Sequence, residues 1–434
     1  MMKKSTKTYF IVLTIVMMTC MEVVSQEKPN VILIMADDLG YETLGAYGGT
    51  SYLTPNLDRL AEQGMRFDHC FATPLCTPSR VQIMTGKYNN RNYIGFGLLD
   101  PSEKTFGHYM QEAGYKTYIA GKWQLLGNQH QQKLAGNKIG TTPEKAGFDD
   151  YCLWQMDKLG SRYKDPTISS KKLGTQILSG KYGPDVFMEN ITSFMEENRD
   201  SPFFIYYPMV LTHDPFVPTP INKGFQDFDS KSKINDPKYF GEMVSYMDMI
   251  VGRIVDKTDD LGIRENTLIL FVGDNGTDRD VSSMVRGTLL KGNKGYTTDA
   301  GTHVPLIANW KGKIDPKTVN DNLIDFTDFL PTLLECSGLK ENKIMSLDGQ
   351  SFYGQLLGNN SLARDWIFCH YDPNWGNFKA NRYVQNKKWK LYETGEFYNL
   401  EQDILEQIPL QIADLSEESA TILKQFREVL SRYK

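Results

Sequence analysis

Four side chains with oxygen donors follow two apolar runs of this sequence, and their types suit a hard metal ion. Asp37 and Asp38 follow the first run, and Asp274 and Asn275 follow the second. Carboxylate and amide oxygens without thiolate or imidazole suit Ca²⁺ before Mg²⁺ where several protein carboxylates contribute. Asp, Asn and Gly are also common in strand-ending turns, which is the alternative for either pair taken singly. Taken together with the cysteine motif described next, the four side chains predict a Ca²⁺ site.

A cysteine-containing pentapeptide is the second feature that could do chemistry. It reads CTPSR from Cys76 to Arg80, and a helix is predicted from Ser79 to Thr85. Exposed backbone N–H groups at a helix start favour an anion beside Cys76, and Arg80, one turn on, can stabilise negative charge. A single cysteine is otherwise most often a small buried hydrophobe. The functional interpretation of this pentapeptide therefore depends on the other motifs along the chain.

Alternating elements of secondary structure must position these groups. Apolar runs rich in β-branched and aromatic residues alternate with stretches of helical period, which predicts an α/β fold with a large, mostly parallel sheet between helices. The clearest strands are Asn30–Ala36, Tyr115–Ala120, Phe203–Pro208 and Thr267–Val272. Ligands bind at the carboxyl ends of such strands, so groups far apart in sequence can meet there. The side chains at or soon after these ends are Asp37, Asp38, Lys122, His213, Asp274 and Asn275.

From residue 28 onward the sequence resembles the type I sulfatases of the alkaline-phosphatase superfamily. The segments that carry the resemblance are Lys28–Val31, Ala36–Gly40, Thr54–Ala61, Cys76–Arg80, Thr85–Gly86, Gly121–Trp123, Thr212–Phe216, Asp274–Gly276 and Lys291–Gly295. Relatives that use two zinc ions need several histidine ligands, and six histidines in the whole chain fit that poorly. The low histidine content therefore disfavours a zinc phosphatase.

The resemblance implies a role for each matched side chain. A sulfatase-maturing enzyme would oxidise Cys76 to Cα-formylglycine, whose hydrated aldehyde attacks sulfur with one hydroxyl and expels sulfate through the other. Ca²⁺ would be held by Asp37, Asp38, Asp274 and Asn275. The sulfate and the leaving oxygen would be held by Arg80, Lys122, His213 and Lys294, because cations stabilise the charge that spreads over the peripheral oxygens. His213 or Lys294 is the better candidate for protonating the departing alcohol.

Two positions depart from the family pattern. Gln124 stands where the family usually has histidine, and an amide cannot accept a proton at neutral pH. Another group would then have to take the proton when the diol collapses. His303 stands near a position that is commonly arginine, and it is either a structural side chain or an added acid or substrate contact. We predict substrate contacts from Gln124, His303 and Arg91.

The N-terminus predicts export. Three lysines within the first seven residues precede an apolar run from Tyr9 to Met21, which is shorter than the ~20 residues of a spanning helix. Small residues up to Ser25 are typical of a cleaved signal peptide over residues 1–25. Lipid attachment at Cys20 is the alternative. We expect a periplasmic or secreted protein with no transmembrane anchor after processing.

Charge and cysteine content set further expectations. The formal net charge of −5 argues against a nucleic-acid-binding protein. In an oxidising compartment, one or two disulfides could form among Cys70, Cys152, Cys336 and Cys369, and their spacing does not fix the pairing.

The C-terminal part of the chain has a different pattern. A helix from Asp325 to Ser337 precedes short strands and a final helix, predicted at Trp366–His370, Arg382–Val384, Trp389–Tyr392, Glu396–Tyr398 and Ser416–Tyr433. This predicts an α/β catalytic domain over residues 26–358 and a smaller antiparallel sheet-plus-helix subdomain over residues 359–434. Residues 89–93, which include Arg91, and residues 372–378 have aromatic and amide chemistry that sugars favour. They are either substrate contacts or ordinary surface packing.

These observations predict an exported, Ca²⁺-dependent formylglycine sulfatase that hydrolyses sulfate esters of a saccharide. A formylglycine phosphodiesterase or phosphonate monoester hydrolase is the alternative within the enzyme class. A catalytically silent binder of sulfated glycans, suggested by Gln124, is the alternative outside it.

Overall fold

Strands and helices alternate along most of the chain in the computed structural model, which describes residues 28–156, 159–339, 346–359 and 363–433. The strands are β1 Asn30–Ala36, β2 Met65–Phe71, β3 Lys116–Lys122, β4 Asp150–Trp154, β5 Thr167–Ser170, β6 Gly174–Ile177, β7 Phe203–Pro208, β8 Thr267–Gly273, β9 Ser282–Val285, β10 Thr288–Lys291, β11 His303–Asn309, β12 Thr318–Asp325, β13 Ile367–Tyr371, β14 Asn381–Gln385, β15 Trp389–Tyr392 and β16 Phe397–Asn399. The helices are α1 Pro55–Glu62, α2 Cys76–Thr85, α3 Asn89–Asn92, α4 Phe106–Glu112, α5 Gln129–Leu134, α6 Gly183–Glu197, α7 Phe240–Asp260, α8 Asp299–Thr302, α9 Phe329–Cys336, α10 Tyr353–Leu356 and α11 Glu417–Arg432. The predicted signal peptide and Cys20 lie outside the described residues.

A ten-stranded sheet with the order β12-β2-β11-β8-β1-β7-β3-β4-β5-β6 forms the centre of the fold. Its middle strands, from β8 to β4, are all parallel. Every residue of β1 is buried, and its side chains alternate between two hydrophobic cores. One core contains α1, α6 and α7, and the other contains α2, α4 and α9. A strand covered by helices on both faces is apolar throughout, and the predicted α/β architecture is confirmed.

The order of the central strands decides where the predicted side chains meet. β1 and β7 have the predicted bounds, β8 extends one residue further to Gly273, and β3 runs on through Lys122. These four strands are consecutive neighbours in the order β8-β1-β7-β3. Because all four are parallel, their carboxyl ends lie side by side along one edge of the sheet.

The predicted helix from Asp325 to Ser337 begins later than expected. Asp325 is the last residue of β12, a 3-10 turn follows, and α9 starts at Phe329. The Asp325 side chain accepts a hydrogen bond from the Thr327 N–H (2.8 Å), and Asp328 accepts one from the Asp325 N–H (2.8 Å). Asp side chains that bind nearby N–H groups favour caps over helix interiors, which is why Asp325 ends outside the helix.

A separate antiparallel sheet with the order β13-β14-β15-β16 forms near the C-terminus. Apolar side chains of α11 pack on one face of this sheet. The other face packs against Leu75 and Cys76 at the start of α2, so the small sheet supports the helix that carries the motif cysteine. The predicted small sheet is confirmed, and the domain boundary at residue 358 stays a prediction.

The described part of the chain contains none of the disulfides that the sequence left possible. Cys70, Cys76, Cys152, Cys336 and Cys369 are all free and buried. Cys152 and Cys369 lie in two different hydrophobic cores, and Cys70 and Cys336 lie in a third. These cysteines therefore pack as small hydrophobes.

Within the described ranges, no helix is both long enough and apolar enough to span a membrane.

Candidate active site

A cluster of buried oxygen donors lies where β1 and β8 end. The Asp38 N–H donates to Oδ1 of Asp274 (3.0 Å), and Nδ2 of Asn275 donates to Oδ1 of Asp38 (2.9 Å). One ligand atom from each of Asp37, Cys76 and Asp274 lies within 4.8 Å of the other two. The four predicted metal ligands thus form one cluster, and Cys76 lies against it.

Two oxygens of this cluster are buried without a hydrogen-bond partner, namely Oδ2 of Asp274 and Oδ1 of Asn275. Burial, together with the negative charges of Asp37 and Asp38, raises the pKa of Asp274 well above its ordinary value. Buried polar atoms without partners are costly, and adjacent carboxylates repel each other. The donor set therefore fits a bound cation with oxygen ligands.

Two lysines neutralise part of this negative charge. Nζ of Lys122 lies 3.0 and 2.8 Å from the two carboxylate oxygens of Asp37. Burial alone would raise the pKa of Asp37, but the positive charge of Lys122 lowers it. Lys294 pairs with Oδ2 of Asp38, and its Nζ lies 3.1 Å from Nε2 of His213. Burial alone would lower the pKa of Lys294, but the charge of Asp38 raises it.

Cys76 is the first residue of α2, three residues earlier than the predicted helix start, and it is buried. Its Sγ lies 3.9 Å from Oε1 of Gln124. Burial raises the pKa of the Cys76 thiol, and the charge of Lys122 only partly opposes this effect. A thiol with a raised pKa is a poor nucleophile. An unmodified Cys76 therefore lacks the features of a catalytic cysteine.

Arg80 extends from α2 toward the carboxylate cluster. Its Nη1 donates to the backbone oxygens of Lys122 (2.7 Å) and Trp123 (3.2 Å), and its Nε lies 4.0 Å from Oδ2 of Asp274. Its Nε and Nη2 atoms are buried without a hydrogen-bond partner. Arg80 therefore keeps two donors beside Cys76 that can bind an anion.

A cavity of about 400 Å³ opens over these groups. It is lined by five predicted site residues: Cys76, Lys122, Gln124, His213 and Lys294. The predicted sugar-contact segment 372–378 contributes Trp375 and Phe378, and Trp375 stacks on Phe96 with ring centroids 4.4 Å apart. Apolar rings beside polar groups are typical of ligand cavities.

Arg91 and His303 lie elsewhere and do not line this cavity. Arg91 pairs with Asp348 and donates to the backbone oxygen of Ser346 (3.0 Å). His303 is buried, with Nδ1 3.2 Å from Oδ1 of Asp299 and Nε2 2.8 Å from the backbone oxygen of Asp68. This position favours the structural alternative for His303.

Six further polar residues line the cavity and were not predicted from the sequence: Asn128, Gln131, Gln155, Arg162, Asp278 and Arg279. Asn128 and Gln131 cap α5 reciprocally (2.9 and 3.0 Å), so their side chains also have a local role. The capping pair Asn-x-x-Gln is visible in the sequence. The positions of Gln155, Arg162 and Arg279 depend on loops that carry no comparable signal.

The comparisons with known proteins agree with this geometry. Residues 29–339 match the family model Sulfatase, and residues 293–433 match the model of the N-sulphoglucosamine sulphohydrolase C-terminal region. The chain is 31% identical to arylsulfatase A of Homo sapiens over 404 residues, which covers 82% of this chain and 75% of that protein.

Two solved structures share the fold at lower identity. One, solved in complex with its substrate D-glucosamine-2-N,6-O-disulfate, has a TM-score of 0.77 and 19% identity, and covers 94% of this chain and 98% of its own. The other is the phosphonate monoester hydrolase of Agrobacterium radiobacter, with a TM-score of 0.68, 20% identity and coverage of 93% and 95%. The family model and arylsulfatase A together show that this chain belongs to the sulfatase family of the alkaline-phosphatase superfamily and is a sulfuric ester hydrolase.

Proposed function

We propose that this protein is an exported sulfatase that removes sulfate esters from a saccharide, using Ca²⁺ and a formylglycine made from Cys76. The observation that carries the proposal is that Cys76 lines the cavity and that its sulfur lies within 4.8 Å of carboxylate oxygens of the buried Asp37 and Asp274. A thiol with a raised pKa has no evident catalytic use there. Oxidation would convert this side chain into a group that serves the family reaction.

The proposed Ca²⁺ ligands are Asp37, Asp38, Asp274 and Asn275. The unpaired oxygens of Asp274 and Asn275 support this choice, because oxygen ligands without sulfur or imidazole suit Ca²⁺. Bound there, the ion would supply positive charge for a sulfate oxygen, as the formylglycine would supply the attacking hydroxyl.

The cations of the site would hold the sulfate group in place. Lys122, Lys294 and Arg80 have fixed positions before substrate arrives, because each lies beside a carboxylate or backbone oxygen. Preorganised positive charge stabilises the negative charge that develops on the peripheral oxygens.

His213 is the proposed general acid for the departing alcohol. Its Nδ1 lies 2.7 Å from Oδ1 of Asp214, which fixes the ring, while Nε2 lies beside Lys294 at the cavity. The Lys294 ammonium has only donors, so Nε2 accepts from it, and His213 would give the alcohol a proton that Nε2 receives from Lys294. Gln124, 3.9 Å from the Cys76 sulfur, would contact the sulfate region through its amide without taking a proton.

A saccharide is the proposed substrate. The stacked pair Phe96 and Trp375 offers a flat apolar wall, and the amides of Asn128, Gln131 and Gln155 offer hydrogen bonds to hydroxyl groups. The similar structure in complex with D-glucosamine-2-N,6-O-disulfate supports this choice of substrate class.

The proposal is tested with protein purified from a host that carries a sulfatase-maturing enzyme. Mass spectrometry of the peptide containing position 76 should show the aldehyde, and the same sample should release sulfate from sulfated monosaccharides. Unmodified cysteine in a competent host would contradict the formylglycine assignment.

A phosphonate monoester hydrolase is the second candidate, because the chain shares its fold with the enzyme of Agrobacterium radiobacter. Turnover of a phosphonate monoester and a phosphodiester should be measured beside that of a sulfate ester. A dominant rate on either phosphorus substrate would favour this candidate. Membership of the sulfatase family argues against the silent glycan binder.

A further inference from the structure

Two arginines on the cavity wall have no carboxylate partner. Among the described residues, Arg162 and Arg279 both line the cavity that contains Cys76, and no carboxylate oxygen lies within 4.0 Å of either guanidinium. Lys122 and Lys294 on the same wall pair with Asp37 and Asp38. The two arginines therefore carry charge that the protein itself does not neutralise.

Arg162 lies on the ring of Trp154, in a loop that its next two residues fix. Its guanidinium lies 4.1 Å from the ring centroid of the buried Trp154, and its Nη1 is buried without a hydrogen-bond partner. The next two residues fix the loop, because the Tyr163 hydroxyl donates to the Val210 backbone oxygen (2.8 Å) and Lys164 donates to the Gln226 backbone oxygen (2.6 Å). A fixed guanidinium with a free donor is suited to bind an anion.

The positive charge of Arg162 contributes to lowering the pKa of Asp214, but the carboxylate of Asp214 makes its hydrogen bond to His213. Its Oδ1 lies 2.7 Å from Nδ1 of His213, and this hydrogen bond is the main reason that the pKa of Asp214 is lowered. Asp214 therefore does not take the place of an external anion at Arg162.

Arg279 is also held by aromatic rings. Its guanidinium lies 5.5 Å from the ring centroid of Tyr296 and 5.8 Å from that of Phe378. Its side chain also lines a neighbouring cavity of about 410 Å³, together with Lys291 and Asn293. Cys76 lines only the first cavity. An anion at Arg279 would therefore lie on a part of the substrate that extends away from the reacting sulfate.

We infer that Arg162 and Arg279 form a second anion subsite, so that the preferred substrate is a saccharide with another sulfate or a carboxylate besides the ester that is cleaved. This inference rests on the proposed function and specifies its substrate class. Asp278 is the one acidic side chain on the described cavity wall, and it faces four basic ones: Lys122, Arg162, Arg279 and Lys294. A neutral sugar bearing one sulfate would leave both arginines without an anionic partner.

The test compares glucosamine 6-sulfate with D-glucosamine-2-N,6-O-disulfate in the matured protein. We expect kcat/KM to be higher for the disulfated sugar, and Arg162→Gln and Arg279→Gln each to lower the ratio of the two values by about tenfold, the effect of losing one charge-assisted hydrogen bond. Arg199→Gln is the control, since this exposed arginine precedes β7 at the opposite end of the strands. It should leave the ratio at the wild-type value.

A ratio that is the same in wild type and both cavity variants would overturn the inference, even if sulfate is released. If neither sugar is hydrolysed, the proposed function fails, and the second anion subsite is then tested by measuring how tightly the disulfated sugar binds. Calorimetry should then give about tenfold weaker binding of the disulfated sugar to Arg162→Gln than to wild type. Equal dissociation constants would reject the subsite.

Discussion

Two buried charge clusters in this protein differ in how completely their polar atoms are bonded. Beside α9, the Arg364 guanidinium binds both oxygens of Asp328, and it also donates to the Tyr88 hydroxyl (3.1 Å). Asp328 receives a further hydrogen bond from the Gln350 N–H (2.7 Å).

In the cluster at the ends of β1 and β8, by contrast, buried atoms of Arg80, Asp274 and Asn275 have no hydrogen-bond partner. Burial of a charge is tolerated when its hydrogen bonds are complete, and incomplete bonding costs stability. The complete cluster thus serves the fold, and the incomplete one has donors and acceptors left over that suit the proposed ligands.

Substitution of Cys76 should have the largest effect of the changes considered, and it should act on sulfate release and not on the fold. Cys76→Ala should lower sulfate release by about 10⁵- to 10⁶-fold, the scale of losing a nucleophile, while the fold and Ca²⁺ binding remain. Cys152→Ala is the matched control, because this buried cysteine lies in β4 and does not line the cavity. Steady-state kinetics and circular dichroism check both variants. Comparable turnover in Cys76→Ala would refute the assignment of the nucleophile.

The completely bonded cluster should dominate stability. Arg364→Met leaves Asp328 buried without its counter-ion, so we expect the free energy of unfolding to fall by about 3–5 kcal/mol. Arg80→Met should cost less stability, because two of its nitrogens make no hydrogen bond, but it should lower sulfate release by about 10²- to 10³-fold. Urea denaturation ranks the two variants by loss of stability, and activity assays rank them by loss of sulfate release. A larger loss of stability for Arg80→Met than for Arg364→Met would contradict the assignment of the two clusters.

Calcium should complete the incomplete cluster. At a concentration of 100 times its dissociation constant, Ca²⁺ should stabilise the wild type by about 2.7 kcal/mol. Asp274→Asn should abolish this response and raise the stability of the metal-free protein, since it removes one of three mutually repelling carboxylates. Thermal unfolding with Ca²⁺ and with a chelator measures both effects. The control Asp200→Asn changes a carboxylate that is 90% exposed and should respond as wild type does.

The ion pair of His303 and Asp299 should make a smaller contribution to stability, and this contribution should depend on pH. Burial would lower the pKa of His303, but Asp299 raises it; burial would raise the pKa of Asp299, but His303 lowers it. The pair should therefore stabilise the fold most between the ordinary pKa values of 3.8 and 6.5. That stability is lost as pH rises through the folded pKa of His303 and as it falls through that of Asp299.

His303→Gln should accordingly cost about 1.5–3 kcal/mol at pH 5.5 and less at pH 8. Urea denaturation of wild type and variant at both pH values measures the difference. A loss that does not change with pH would show that His303 acts by packing against Tyr41 and Phe71 and not by its charge.

Gln124→His should have the smallest effect. If another group already takes the proton in this protein, a histidine at this position gives little gain in kcat. A large gain would show that proton transfer limits the present enzyme, and the pH profile of kcat would then acquire a histidine-like limb.

The sequence by itself determined which chemical groups follow the strands. The apolar runs that became β1 and β7 are local patterns, since a strand covered on both faces must be apolar along its whole length. The oxygen donors Asp37 and Asp274 stand directly after such runs, so their position at a sheet edge could be predicted.

Only the tertiary structure decided which of these groups meet. The strand order β8-β1-β7-β3 joins segments that are far apart in sequence, and no local pattern encodes it. Long-range packing likewise took Arg91 to Asp348 and placed Arg162 and Arg279 on the cavity wall. The spacing of apolar residues along a segment indicates only whether that segment is buried. The neighbours of a side chain depend on how all the segments pack together.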